Sequence, residues 1–538
     1  MNISASIRKL TLIFVMLFVA LSAGLVYWQV IVAQQVTSNI HNARPGLPDS
    51  APVRGRIFDR NGVLLAESVP ASVPGGYIRH YTEPSLAGLI GYYVPNYPAT
   101  GIEAQYNDYL SGQVGQTALN NQVNKLLHRP PIGNDIYLTI DVRIQRIVNR
   151  DFDTPINIDN ENTFASNRGS VIVTDPHSGQ VLAMLSRPSY DPNRMVTTLS
   201  NSDLSYFDQL AYHDPDQPLL ERPIQSRYVP GSTYKTMTLL AGLDSQKTTL
   251  DQPFNQQQAI GPIQYNGQNI GPIGNNIQGY TIRFPVSTSY GFAHSDNIIF
   301  AQVGVNTGFN IWMDYNKRLY VGQQIPFDLP VATSKVLPDG QDTLANNQLA
   351  ANAFGQGTDF VTPMQMSLID NVVANNGQLM RPMLVMQATD RNKNPVQTFS
   401  SQQLGSQPQV SSQTATQVRQ AMYGVVRCGS GLVQGVQLVN SPWGIIAKTG
   451  TAQVGGNQPA HSWLITQAPY SIDNPTQLPK LTIVAMKENG GEGGSTIGPM
   501  VTAMYNDIFT SVMKAQMPTA PNANYCCSAK LLQLGCPA

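Results

Sequence analysis

The chain has 538 residues, with 33 basic and 33 acidic side chains and so no formal net charge. Apolar residues make up 42%, ample for real cores in about two to four domains and too many for wholesale disorder. Charged residues make up only 12%, about half the roughly 25% usual in soluble domains, which excludes a basic stripe for nucleic acid, an acidic tail and a charged coiled coil.

In chain order, the first element is an apolar run at 10–33 that contains no charge and follows Arg8 and Lys9. A membrane-spanning helix needs about 20 mostly apolar residues. Basic residues stay on the cytoplasmic side, so 1–9 is expected inside and everything after the anchor outside. Tyr27 and Trp28 stand near its outer end, where aromatic rings favour the interface. The competing reading is a cleaved signal peptide, whose apolar region spans only about 7–15 residues before a small-residue cleavage site. This run is longer and Ser22-Ala23-Gly24 lies within it, so an uncleaved single-pass anchor is preferred.

A polar linker with Pro45 and Pro48 follows, and then Arg54-Gly-Arg-Ile-Phe-Asp-Arg-Asn-Gly62, where Asn61-Gly62 predicts a hairpin. A strand at 136–140 and a helix at 141–150 complete a non-catalytic module over 34–165. From 166 the pattern changes. Runs at 169–176 and 179–185 predict a buried hairpin, helices and loops continue to about 440, and strands are expected at 443–448, 461–468 and 481–487, with a helix at 498–513. Strands at both ends with helices between predict one large α/β (α+β) domain over 166–515. The stretch 252–278, dense in Gln, Asn, Gly and Pro, reads as a surface excursion. Of four cysteines, Cys428 stands apart while Cys526, Cys527 and Cys536 crowd a tail at 516–538. A disulfide within the tail is one reading; zinc is the other, weakened by the lack of a nearby His.

Three motifs carry candidate chemistry. The first is Val229-Pro-Gly-Ser232-Thr-Tyr-Lys235. Pro230-Gly231 breaks the chain before a helix expected through 236–243, so Ser232 falls at its N-terminus and Lys235, three residues on, shares its face. A hydroxyl needs a base to become a nucleophile, and a lysine kept neutral by burial or by another cation provides one. The second is Ser295-Asp296-Asn297, offering a hydroxyl for proton relay and an amide that holds a carbonyl and a lysine together. The third is Lys448-Thr449-Gly450-Thr451, where Lys448 and Thr449 suit an anionic group and Gly450 admits another backbone. Each alone reads better as a helix cap or strand end. The chemistry calls for no cofactor and no metal.

Together and in this order the motifs resemble those of penicillin-binding proteins and class A β-lactamases. Arg54–Gly62, Gly101-Ile-Glu103 with Tyr106 and Leu110, Leu138-Thr-Ile-Asp141, Ser186-Arg-Pro-Ser-Tyr-Asp-Pro-Asn193 and Gly355-Gln-Gly357 are similar to further stretches of class B penicillin-binding proteins, the membrane-anchored, monofunctional peptidoglycan D,D-transpeptidases. The resemblance implies a central antiparallel sheet of five strands covered by helices, on a smaller N-terminal α+β pedestal. It implies Ser232 as nucleophile on the carbonyl between two terminal D-alanines of a stem peptide and Lys235 as its base. Ser295 and Lys448 would pass the proton to the leaving amine and Asn297 would orient the donor. Thr449, Gly450 and Thr451 would hold the substrate, and the backbone N–H groups of Ser232 and Thr451 would form the oxyanion hole. It further implies β-lactams as ligands and a SEDS-type membrane glycosyltransferase as partner. Tyr234 stands where the family often has Phe, and Leu464 follows Trp463 where a second aromatic is common. A bifunctional class A protein would need a glycosyltransferase domain for which 34–165 is too short. A β-lactamase or D,D-carboxypeptidase, a penicillin sensor and a catalytically silent scaffold are the other readings of such a site.

Overall fold

The computed structural model describes residues 3–27, 53–71, 76–126, 131–154, 163–260, 263–265, 268–270, 284–432 and 438–517. The linker, the later part of the excursion at 252–278 and the tail cysteines Cys526, Cys527 and Cys536 lie outside the described residues. Cys428 is disulfide-bonded, to a partner outside the described residues. The first helix, α1 (Ile3–Val26), has 24 residues, and its Phe14, Leu17 and Phe18 are more than half exposed. Among the described residues no helix is long and apolar enough to cross a membrane; the described side chains of α1 begin at residue 11.

The hairpin expected at Asn61-Gly62 joins β1 (Ile57–Phe58) to β2 (Leu64–Pro70). Asp59 Oδ1 closes the turn by accepting from the N–H groups of Asn61 and Val63, each at 2.8 Å. β2 then pairs with β3 (Tyr77–Tyr81), while β1 lies parallel to β4 (Asp135–Leu138). α2 (Val142–Asp151) follows as expected, capped by Asp141.

Within this module sits Glu103, fully buried, with Arg54 Nε at 2.5 Å on one oxygen and Arg79 Nε at 2.6 Å on the other. Burial alone would raise the Glu103 pKa, but Arg79 and Arg54 outweigh it and hold the carboxyl below its usual value. The two arginines come from before β1 and from β3, so one carboxylate ties separate segments of the module together.

β5 (Gly169–Thr174) and β6 (Val181–Arg187) form the second expected hairpin. Beyond short strand pairs at 253–254 with 286–287 and at 263–265 with 268–270, two strands, β7 (Val385–Thr389) and β8 (Pro395–Thr398), return to the first sheet, which runs β8-β7-β4-β1-β2-β3. The last three, β9 (Ile446–Ala452), β10 (His461–Ala468) and β11 (Leu481–Lys487), join β5 and β6 in an antiparallel sheet ordered β9-β10-β11-β5-β6. Nearly every residue of this sheet is buried, because successive side chains enter two cores. Ile172, Ile465 and Val484 face one core, with the helix Pro363–Ala374 below; Val171, Leu464 and Ile483 face the other, under α2 and the helix Gly493–Asp507. The helices concerned are α3 (Lys235–Asp244), α4 (Asn297–Thr307), α5 (Pro363–Ala374), α6 (Ser412–Cys428) and α7 (Gly493–Asp507).

Two elements depart most from the sequence expectation. The strand expected at 443–448 starts at Ile446 and continues to Ala452. Trp443 and Gly444 make a turn instead, in which Gly444 takes φ +60° and a Cβ would lie 2.1 Å from Tyr470 O. The helix expected at 498–513 starts at Gly493, where Glu492 accepts from Ser495 N at 2.8 Å, and gives way to a π-helical turn at Ile508–Val512.

The Glu103 cluster generates a stability prediction. Replacing Glu103 by Gln leaves two buried guanidinium groups without their counter-charge, a loss of about 3–5 kcal/mol. Chemical denaturation followed by circular dichroism should show that loss, and a change under 1 kcal/mol would refute the role given to the cluster.

Candidate active site

Ser232 occupies a 3-10 turn, Gly231–Tyr234, that runs directly into α3. The nucleophile candidate therefore belongs to a tighter turn ahead of the helix, and the helix begins at Lys235 itself. Gly231 takes φ +56°, and a Cβ there would approach Thr451 O to 2.8 Å. On the other side, a Cβ on Gly355 would lie 1.9 Å from Gly231 O. Left-handed backbone and close approach both require glycine at these positions. Gly450 is equally confined, since its Cβ would meet Thr233 Cγ2 at 2.8 Å. The turn carrying Ser232 thus lies flat against β9.

Ser295 has φ +60°, rare for a residue with a side chain. The turn is held by Asp296, which caps α4 by accepting from Ile299 N at 3.0 Å. Asp296 accordingly supports the turn, and Ser295 and Asn297 project toward Lys235. On the opposite wall, Lys448 stands in β9 opposite Ile465 of β10.

Ser232, Lys235, Ser295, Asn297 and Lys448 form one contact network. Lys235 Nζ lies 2.8 Å from Ser232 Oγ, 2.6 Å from Ser295 O, 2.7 Å from Asn297 Oδ1 and 3.3 Å from Ser295 Oγ. Lys448 Nζ lies 2.9 Å from the same Ser295 Oγ and donates to Thr449 O at 3.0 Å. Thr449, Gly450 and Thr451 line the strand beside them. The Thr449 hydroxyl is 2.7 Å from Ser430 Oγ, and the Thr451 hydroxyl accepts from Gly493 N at 3.2 Å.

Both lysines are completely buried. Burial, and then the nearby Lys448 charge, hold the Lys235 pKa well below the usual lysine value, with Asp296 opposing. Burial brings Lys448 down to about 7. A neutral Lys235 has two N–H donors and one lone pair. Ser295 O and Asn297 Oδ1 only accept, so they take the two donors. The lone pair is left for the Ser232 hydroxyl.

A supporting residue, Ser430, escaped the sequence reading, while Gln356 and Trp463 stand in stretches that it singles out. Ser430 braces Thr449, and the Gln356 amide donates to Thr451 O at 3.0 Å. Trp463 Nε1 donates to Val229 O at 3.0 Å, hooking the segment before the turn to β10. Leu464 points into the opposite core, so no second aromatic is needed there. The Tyr234 hydroxyl donates to Asn316 Oδ1, giving the Tyr-for-Phe difference a buried partner. A cleft of about 610 Å³ opens beyond Thr451, lined by Phe164, Gln453, Gln458 and Glu492 among others.

The model of the penicillin-binding protein transpeptidase domain matches residues 169–508, more than half of the chain. The chain belongs to the penicillin-binding protein transpeptidase family. A second model, the penicillin-binding protein A dimerisation domain, matches 54–136. The chain is 29% identical over 523 residues to the peptidoglycan D,D-transpeptidase PbpA of Mycolicibacterium smegmatis, covering 93% of this chain and 97% of that one. It is 28% identical over 461 residues to the peptidoglycan D,D-transpeptidase MrdA of Escherichia coli, covering 79% of this chain and 67% of that one. Among solved structures it is similar to the imipenem acyl-enzyme complex of penicillin-binding protein A from M. tuberculosis. There the TM-score is 0.72 at 26% identity, over 86% of this chain and 99% of that one. That structural relative shares the mixed α/β fold described above.

The paired lysines predict a pH response. Acylation by penicillin should fall on the acid side as Lys235 gains its proton. In Lys448→Met the neighbouring positive charge is gone, so the Lys235 pKa rises and the acid limb of the residual acylation rate should move to higher pH. Stopped-flow acylation profiles of the two proteins measure this; an unmoved or acid-shifted limb would count against the coupling.

Proposed function

We propose that the protein is a penicillin-sensitive peptidoglycan D,D-transpeptidase working through an acyl-Ser232 intermediate. The observation that carries this reading is the 2.8 Å approach of Lys235 Nζ to Ser232 Oγ, with the other hydrogen bonds of Nζ directed to acceptors. Ser232 Oγ attacks the carbonyl between two terminal D-alanines while Lys235 takes its proton. The backbone N–H groups of Ser232 and Thr451 receive the developing oxyanion; one such donor is worth roughly 3–4 kcal/mol in the transition state. The proton leaves by way of Lys448 and Ser295, which are in contact, and reaches the departing amine, so D-alanine exits and an ester to Ser232 remains. Asn297, whose oxygen faces Lys235, has its NH2 available to orient the donor peptide. Thr449 and Thr451, spaced by Gly450, hold the substrate's carboxylate and backbone. A second stem peptide's amine then attacks the ester, and the cross-link forms as Ser232 recovers its proton.

The name of the mycobacterial structural relative, an acyl-enzyme complex with imipenem, supports β-lactams as ligands of this site. We assign 10–33 as a single-pass anchor with 1–9 cytoplasmic, 34–165 as the pedestal module, 166–515 as the transpeptidase domain and 516–538 as the tail. A monofunctional transpeptidase needs its glycan chains from elsewhere, which supports a SEDS-type membrane glycosyltransferase as partner.

Fluorescent-penicillin labelling tests the chemistry. The wild-type chain should label covalently and lose the label only over minutes or longer, whereas Ser232→Ala should not label. Persistent labelling of the variant would remove Ser232 from its role, and rapid release from the wild type would favour a β-lactamase. The anchor has its own test: a chain lacking 1–33 should move from the membrane pellet to the soluble fraction and keep labelling. Retention in the pellet would overturn the assignment.

A further inference from the structure

A second cavity, of about 300 Å³, lies where the N-terminal module meets the transpeptidase part. Its walls are mostly apolar and aromatic, with Tyr92 from the module and Tyr190, Phe207 and Leu329 from beyond residue 169. One carboxyl lines it, that of Glu221, a residue only 4% exposed. The contrast with Glu103 is direct, since two guanidinium groups grip that carboxylate. The charge nearest Glu221 is Arg222, whose guanidinium is already committed to Glu488 at 2.8 Å, Asp216 O at 2.6 Å and Gln217 O at 3.3 Å. Locally the Glu221 backbone is engaged, its N–H donating to Gln225 Oε1 and its carbonyl accepting from Ile224 N and Gln225 N. The carboxyl reaches across the junction, so that a Cβ on Gly88 would lie 1.7 Å from its Oε2.

A buried carboxylate without a counter-charge is costly, and a cation brought by a ligand relieves that cost. Aromatic faces add cation–π attraction for an ammonium group, and a cavity of this size and apolarity suits a small organic body. We infer that the cavity between Tyr92, Tyr190, Phe207 and Glu221 is a binding site for a small organic amine, its ammonium paired with the Glu221 carboxylate and its apolar body against the aromatic walls. Nothing in the transpeptidase chemistry uses this site.

The groups facing Glu221 are Arg222 on its own segment and the phenols Tyr190 and Tyr92 across the cavity. Burial pushes Glu221 up to about 8, with Arg222 opposing. The empty site is therefore mostly protonated at pH 7, and forming the ion pair expels that proton. Below pH 8, binding of an ammonium ion should strengthen as pH rises.

The probe is cyclohexylammonium, with cyclohexanol as the uncharged control of the same shape, titrated calorimetrically into the full-length protein in mild non-ionic detergent. Cyclohexylammonium should saturate one site at least tenfold more tightly than cyclohexanol, and Glu221→Gln should abolish that preference. Titration of the wild type in two buffers of different ionisation enthalpy should read close to one proton released per ligand at pH 7, a readout that does not depend on the variant folding. Absence of saturable binding, equal affinity for the two probes, or no proton release would each overturn the proposal and leave Glu221 as a protonated structural carboxyl. Penicillin labelling of Ser232 is measured alongside, so failure here is separable from failure of the transpeptidase reading.

Discussion

Two lysine side chains buried in one cleft set the terms for the rest of the molecule. An ammonium taken out of water loses several kcal/mol of solvation, and Lys235 and Lys448 are both inaccessible to solvent. The carboxyl beside them, that of Asp296, spends one oxygen capping α4. With so little counter-charge, the favourable response is for the pair to shed protons, and a neutral amine beside a hydroxyl is a base. The unfavourable solvation of the lysines and the reactivity proposed for Ser232 are thus one fact seen from two sides.

Such a site demands convergence. Lys235 opens a helix, Ser295 sits in a left-handed turn and Lys448 lies within a strand, so three elements must meet to within a fraction of an ångström. Close packing supplies that precision. Gly231, Gly355 and Gly450 each sit where a Cβ would collide with its neighbours, and the Trp463 indole fastens Val229 O to β10. The tether extends further back. Tyr228 donates to Glu488 at 2.7 Å, and Glu488 in turn holds Arg222. Residues 222 to 232 are therefore pinned at both ends, which fixes where the turn carrying Ser232 can lie.

The central sheet was legible in the sequence because its strands are buried on both faces and bounded by turn residues. The strands at 461–468 and 481–487 show this most plainly. The edge strand was misplaced at its start because Trp443 and Ile445 are as apolar as the strand itself, and the turn at Gly444 answers to Tyr470, distant in sequence. The recruitment of β7 and β8 into the N-terminal sheet was invisible for the same reason: Val385 pairs with Leu138 across the chain, and no local pattern encodes that. The candidate catalytic residues were legible through the order of three motifs, which is a resemblance rather than a deduction. Their contacts, and the bracing hydroxyl of Ser430, required the fold. A single serine amid Gly-rich sequence carries no signal of its own.

Charge is scarce in this chain, at 12% of residues, and the structure shows where the scarcity matters. At Glu103 two arginines from separate elements meet one carboxylate, and the arrangement locks the module. At Lys235 the opposite holds, because an incompletely balanced charge favours the neutral amine that the proposed base requires. Asp359 and Asp370, both fully buried, have burial raising their pKa well above the usual value, so the neutral acid can persist behind the site. Glu221 shares their desolvation but differs in lining a cavity. A protonated carboxyl walled in by protein is a settled structure, whereas one facing a cavity still has a conjugate base to offer. The distinction between a structural and a receptive buried acid therefore rests on access more than on the size of the pKa shift.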